Sequence, residues 1–172
     1  MGTTLYRKEP IIVRIIGIDP GPQFSAVVII NEELKIIAKA IGENKWVLHQ
    51  FDCKNSFLSN KKKESVIAIE SIEGFGQSVG QPVFDTIFWS GRFCQAFNSD
   101  FYKIGRKAVK SHLCNTTKCN DSAIREAIIY KYGGPKETKK NGKLYGIKSH
   151  MWSALAVAIT YVENKAVIVS DW

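Results

Sequence analysis

Residues 11–21 read IIVRIIGIDPG, a nearly unbroken apolar, β-branched run that closes on an aspartate, a proline and a glycine. Such a run over Ile11–Ile18 is the pattern of a central strand buried on both faces. Asp19-Pro20-Gly21-Pro22 ends it, because two prolines and a glycine stop regular structure. Working outward, Phe24–Ile30 predicts a second strand, Asn31-Glu32-Glu33 a turn and Leu34–Ile41 a third strand. Connections this short demand antiparallel neighbours, so the opening is a meander. Asn44–Phe51 reads as a short helix and Ser65–Glu70 (SVIAIE) as a fourth strand.

Helical periodicity then takes over. Val83, Phe84, Ile87, Phe88, Gly91, Cys94 and Phe97 recur at helical spacing, which predicts an amphipathic helix over 79–97 with Phe84, Phe88, Trp89 and Phe97 mostly in the core. Phe101–Ile104 is a short fifth strand. Asp121 is placed to cap a helix carrying Ala123, Ile124, Ala127 and Ile128, which ends at Gly133-Gly134. The Gly- and Lys-rich stretch 133–148 reads as a loop. Ser149 is then expected to cap a last helix with Met151, Trp152, Leu155, Ala156, Ile159 and Val162 on one face. Three meander strands followed by alternating helices and strands predict one α/β domain with a mixed sheet.

Composition narrows the function classes. The 172 residues are 45% hydrophobic and 11% aromatic, which suits a packed core and excludes a disordered chain. The longest apolar stretch, Ala154–Val162, is far short of the about 20 residues that span a bilayer. The N-terminal MGTTLYRKEP has no hydrophobic signal core, and Tyr6 stands where a myristoylation site wants Ser or Thr. Membrane and secreted readings are therefore set aside in favour of the cytoplasm, where Cys53, Cys94, Cys114 and Cys119 would stay reduced. His112, Cys114 and Cys119 could supply three zinc ligands. Their spacing fits no standard finger and no fourth ligand lies nearby, so apolar packing is the better reading.

The formal charge of +8, from 24 Lys and Arg against 16 Asp and Glu, points to an anionic partner because it is clustered. Lys61, Lys62 and Lys63 form one run; Lys103, Arg106, Lys107 and Lys110 form a second. The third covers 136–148, where five lysines face the single acid Glu137. Nucleic acid is the partner this distribution suggests.

Two carboxylates carry the chemistry. Asp19 ends the first buried strand and Glu70 ends the fourth, and a charge at an apolar strand tip must be exposed, paired or bound to a metal. Parallel neighbouring strands would bring both to one sheet edge, where hard oxygen ligands bind Mg²⁺ or Mn²⁺. Gly21 would let the chain turn tightly there.

GIDPG at 17–21, IAIE at 67–70 and HMWSALAVAIT at 150–160 resemble, in this order, the motifs of RuvC Holliday-junction resolvases of the RNase H-like superfamily, over about 11–163. Actin-like ATPases share an Asp-x-Gly first strand, but they carry a second phosphate loop that this sequence lacks. The resemblance implies an RNase H-like five-stranded mixed sheet flanked by helices. It also implies a homodimer cutting four-way DNA junctions with two Mg²⁺ or Mn²⁺ ions held by Asp19 and Glu70. A phage or prophage source, with a bacterial host's cytoplasm as the setting, would suit such a chain. The family's last helix opens with an acid or histidine and a second acid three residues on; here His150 and Ser153 stand there, so His150 is the expected helper and a carboxylate is missing. In VKSHLCNTTKCNDSAI at 109–124, Lys110 matches the first of two family lysines, while Asp121 occupies the place of the second and is a possible further metal ligand. Lys103, Arg106, Lys107, Lys110 and Lys118 are the expected phosphate contacts. Phe75, in GFGQSVG at 74–80, is the candidate for stacking on unpaired bases. Glu73 is expected to be solvated, with a minor claim on the metal. Two other functions compete: a nuclease on flaps, forks or RNA, and a junction-binding protein impaired in catalysis by Ser153.

Overall fold

The computed structural model describes residues 13–53, 56, 65–73, 76, 78–97 and 101–168. Lys61, Lys62, Lys63 and Phe75 lie outside them. Five strands, β1 (Arg14–Asp19), β2 (Phe24–Asn31), β3 (Ile36–Glu43), β4 (Ser65–Ser71) and β5 (Phe101–Gly105), form one sheet in the order β3-β2-β1-β4-β5. The meander strands pair antiparallel, and β1–β4 and β4–β5 pair parallel, as the RNase H-like arrangement requires. Five helices flank the sheet: α1 (Asn44–Asp52), α2 (Gln81–Phe97), α3 (Arg106–Cys114), α4 (Asp121–Lys131) and α5 (Met151–Ile168).

Alternation along the strands sorts the core into two layers. Ile15, Val28, Ala68 and Ile104 face α3, α4 and α5, while Ile16, Ile18, Ile67 and Ile69 face Val47 and Phe51 of α1 and Phe93 and Phe97 of α2. The α5 segment Ala154–Tyr161 is buried all round, which explains a helix of such uniform apolarity. It lies directly on β1 over Gly17, where an added Cβ would collide with the Ala154 carbonyl oxygen and sit 2.8 Å from the Ala158 Cβ. Gly17 is thus the close-approach glycine that seats α5 on the sheet.

Several expectations need correction. The third strand starts at Ile36, because Asn31 Oδ1 accepts from the Glu33 and Lys35 amides and Leu34 takes a φ of 62°, lengthening the turn. Helix α3 was not expected: of RKAVKSHLC only Val109 is buried, so no apolar period marks it. The cap of α4 is Asn120, whose Oδ1 accepts from the Ala123 amide at 2.9 Å; Asp121 is the first helical residue. At α5 the helix begins at Met151, and Ser149 sits two residues earlier at a φ of 46°. Stretch 133–148 is not wholly irregular, since Pro135–Thr138 makes one 3₁₀ turn. In α2 the core aromatics are Phe93 and Phe97, whereas Phe84 and Phe88 are 55% and 60% exposed.

Candidate metal and nucleic-acid site

Register alone builds the centre. Ile18 lies opposite Ile69 in the parallel β1–β4 pair, so Asp19 and Glu70 leave the sheet side by side. On the far side of β4, Glu70 pairs with Ile104 and Ser71 with Gly105, so the next residue, Arg106, emerges at the same edge. The N-terminal end of α5, anchored over Gly17, delivers His150 and Ser153 to this edge, and α4 delivers Asp121.

The side chains meet there. Asp19 and Glu70, only 13% and 16% exposed, stand close enough for each to bear on the other's titration. Burial, reinforced by the neighbouring Asp19 charge, pushes Glu70 up to about 7; burial also raises Asp19, against the pull of His150 and Arg106. His150 Nδ1 lies 3.0 Å from Asp19 Oδ2. Arg106 Nη1 donates to Glu70 Oε1 at 3.1 Å and reaches Ser153 Oγ at 3.4 Å, while its Nη2 pairs with Asp121 Oδ1. Burial works against the guanidinium charge, but Glu70 and Asp121 outweigh it and make Arg106 more basic than usual. Asp19, Pro20, Glu70, Glu73 and Arg106 line a cleft of about 350 Å³, and a second of about 340 Å³ lies between Arg106, Asp121, His150 and Ser153.

Glu73 is exposed, as expected, yet it stands in the wall of the carboxylate cleft. Lys103 is exposed on β5 and lines an adjoining groove of about 760 Å³ that begins at Glu70 and runs under α2 past Ile87 and Cys94. Lys107 and Lys110 lie on α3, and Lys118 is exposed in the α3–α4 connection. His112 is engaged elsewhere, with Nε2 2.6 Å from Glu163 Oε2, and Cys114 and Cys119 pack against the core as free thiols.

Two converging carboxylates with an imidazole beside them make a donor set of hard oxygens and one nitrogen that fits Mg²⁺ or Mn²⁺. A divalent ion held by Asp19 and Glu70 would relieve their mutual repulsion. Among the described residues, however, no group of three or more His, Cys, Asp or Glu side chains is already arranged around an ion position. Arg106 takes up Glu70 and Asp121, and His150 takes up Asp19. The inward turn of Arg106 was missed in the sequence, although its place one residue past β5, in a parallel sheet, was the available signal.

The sequence matches no protein-family model and no curated protein. The strand order and the flanking helices define a mixed five-stranded α/β fold. It is the fold of RuvC. Thermus thermophilus RuvC superposes with a TM-score of 0.63, covering 90% of this chain and 96% of that one at 14% identity. T. thermophilus RuvC in complex with Holliday junction substrate gives a TM-score of 0.56 at 14% identity, over 90% of this chain and 95% of that one. No helix among the described residues is long and apolar enough to cross a membrane.

Proposed function

We propose that the chain is a single-domain, metal-dependent endonuclease that cuts phosphodiester bonds in four-way DNA junctions. The observation that carries this is the register-driven meeting of Asp19 and Glu70, two buried and mutually repelling carboxylates, at the edge of a RuvC-type sheet. Asp19 and Glu70 would hold Mg²⁺ or Mn²⁺, which supplies an activated water and stabilises the leaving oxygen. His150, in contact with Asp19 and open to solvent, orients that carboxylate. Lys103, Lys107, Lys110 and Lys118 on and around α3 supply the phosphate contacts, in keeping with the neighbour solved on a Holliday junction.

A four-way junction has twofold symmetry, and a C2 dimer matches it with two sites. The exposed apolar row Phe84, Ile87 and Phe88 on α2 suits self-association, so Phe84→Glu with Phe88→Glu is expected to yield monomers in sedimentation. The decisive experiment compares junctions, forks, flaps and RNA–DNA hybrids in Mg²⁺, in Mn²⁺ and in chelator. Rapid metal-dependent cleavage of junctions that Asp19→Asn or Glu70→Gln abolishes, with binding kept within several-fold, supports the reading. Faster cutting of forks, flaps or hybrids moves the protein to the related nuclease class. Ser153, a hydroxyl in contact with Arg106 at the family's acid position, favours a second reading. Junction binding without turnover in either metal would establish it.

A further inference from the structure

Arg106 is inserted among the acids of this edge. Its guanidinium touches Glu70 Oε1, Ser153 Oγ and Asp121 Oδ1, which come from three different elements, β4, α5 and α4. Two carboxylate oxygens and a hydroxyl converging from separate elements are the donors that a hard divalent ion takes. Arg106 also forms the wall shared by the two clefts, with Asp19, Glu70 and Glu73 on one side and Asp121, His150 and Ser153 on the other. The fork geometry of a guanidinium lets it bridge such donors as a fixed charge, which a lysine does less well.

Contact decides what else can enter. A second divalent ion on this side would have to take the Glu70, Ser153 and Asp121 oxygens that the guanidinium already holds, and it would stand beside that fixed positive charge. We infer that Arg106 fills the position of the second cation, so that the site takes a single divalent ion, between Asp19, Glu70 and His150. Arg106 is then a positioning residue that holds Glu70, and Asp121 is its outer anchor. This rests on the metal-nuclease reading above.

The test is Mn²⁺ titration of the DNA-free protein, with free Mn²⁺ followed by its paramagnetic resonance signal and bound ions examined for spin coupling. The wild type should bind one ion per chain and show no coupled pair. Arg106→Gln should admit a second ion at least tenfold more tightly than the wild type does, with a coupled signal, whereas Arg106→Lys should keep one. Two coupled ions in the wild type overturn the inference and leave the nuclease reading standing; so do superimposable isotherms for wild type and Arg106→Gln. If Arg106→Gln fails to fold, the wild-type stoichiometry and spectrum decide alone. No Mn²⁺ binding by the wild type at millimolar concentration overturns both the inference and the nuclease reading.

Discussion

The site has a strand side and a helix side, and they are positioned by different physics. Asp19 and Glu70 sit where they do because backbone pairing fixes Ile18 opposite Ile69, and a slip of one residue would turn every apolar side chain of β1 or β4 to the wrong face. Arg106, Asp121, His150 and Ser153 are placed by helices whose angles depend on side-chain packing and on a few charged contacts. The strand side is therefore specified many times over by hydrophobic alternation. The helix side depends on single features, of which Gly17 is the most consequential.

Gly17→Ala should break the comparison most severely. The added Cβ strikes the Ala154 carbonyl, so α5 must lift from β1 and carry His150 and Ser153 away from Asp19. Overpacking of this kind costs about 3 kcal/mol, which in a chain of this size lowers Tm by roughly 10 °C. Thermal unfolding measures it, and an unchanged Tm would show that α5 is not seated as described.

The strand side can be probed through its own strain. Glu70 is held up to about 7 against an ordinary 4.5, by burial and then by Asp19, so the folded state binds its proton more tightly than the unfolded one. That contribution to metal-free stability is full below pH 4.5 and is lost as pH rises through about 7. Asp19→Asn removes the repelling partner and should stabilise the metal-free protein at pH 8 by on the order of 1–3 kcal/mol, with little change at pH 5. Denaturant melts at both pH values check this. Destabilisation at pH 8 would mean that the Asp19–His150 contact outweighs the repulsion.

On the helix side, Ser153→Asp puts a carboxylate where Arg106 now meets a hydroxyl. A unit charge 4 Å from another is worth about 4 kcal/mol at an effective dielectric of 20, so the Mg²⁺ concentration for half-maximal cleavage should fall at least about tenfold. Asp121→Asn acts on an exposed partner of Arg106 and should shift the same quantity by less than about fivefold. Equal Mg²⁺ requirements in wild type and both variants would show that the groups around Arg106 do not set the metal affinity.

How much of this was legible follows the same division. IIVRIIGID and SVIAIE announce buried strands with acids at their tips, so the strands and their terminal carboxylates can be read from the residues. That β1 and β4 are neighbours, and that His150 comes to the same edge, followed only from the family resemblance, because nothing in strand periodicity says which strands pair. Arg106 could be read only as one member of a basic run, since RKAVKSHLC buries a single residue and gives no helical period. The assignment of Phe84 and Phe88 to the core failed for a different reason. Periodicity identifies an apolar stripe but not what covers it, and on α2 the sheet covers only the Phe93–Phe97 end.

The smallest effect tests how the helix side is stitched together. Glu163 on α5 pairs with His112 of α3 at 2.6 Å and with Lys131 of α4 at 2.7 Å, joining three helices at the end of the domain away from the carboxylates. Burial alone would raise its carboxyl, but the hydrogen bonds from Lys131 and His112 outweigh burial and hold it below the ordinary 4.5. A depressed carboxyl contributes stability above its unfolded value and loses it as pH falls through the folded one, so this contribution is full at pH 7 and shrinks as pH falls below 4.5. Each partner is partly solvated, which limits the pair to about 0.5–1 kcal/mol. Glu163→Gln should therefore lower stability by that amount at pH 7, by less at pH 3, and alter cleavage by less than about twofold. Urea melts at the two pH values give the first two results. A loss of equal size at pH 3 would assign the effect to packing of the α5 end, and a large loss of cleavage would mean that the orientation of α3, and with it Arg106, depends on this distant ion pair.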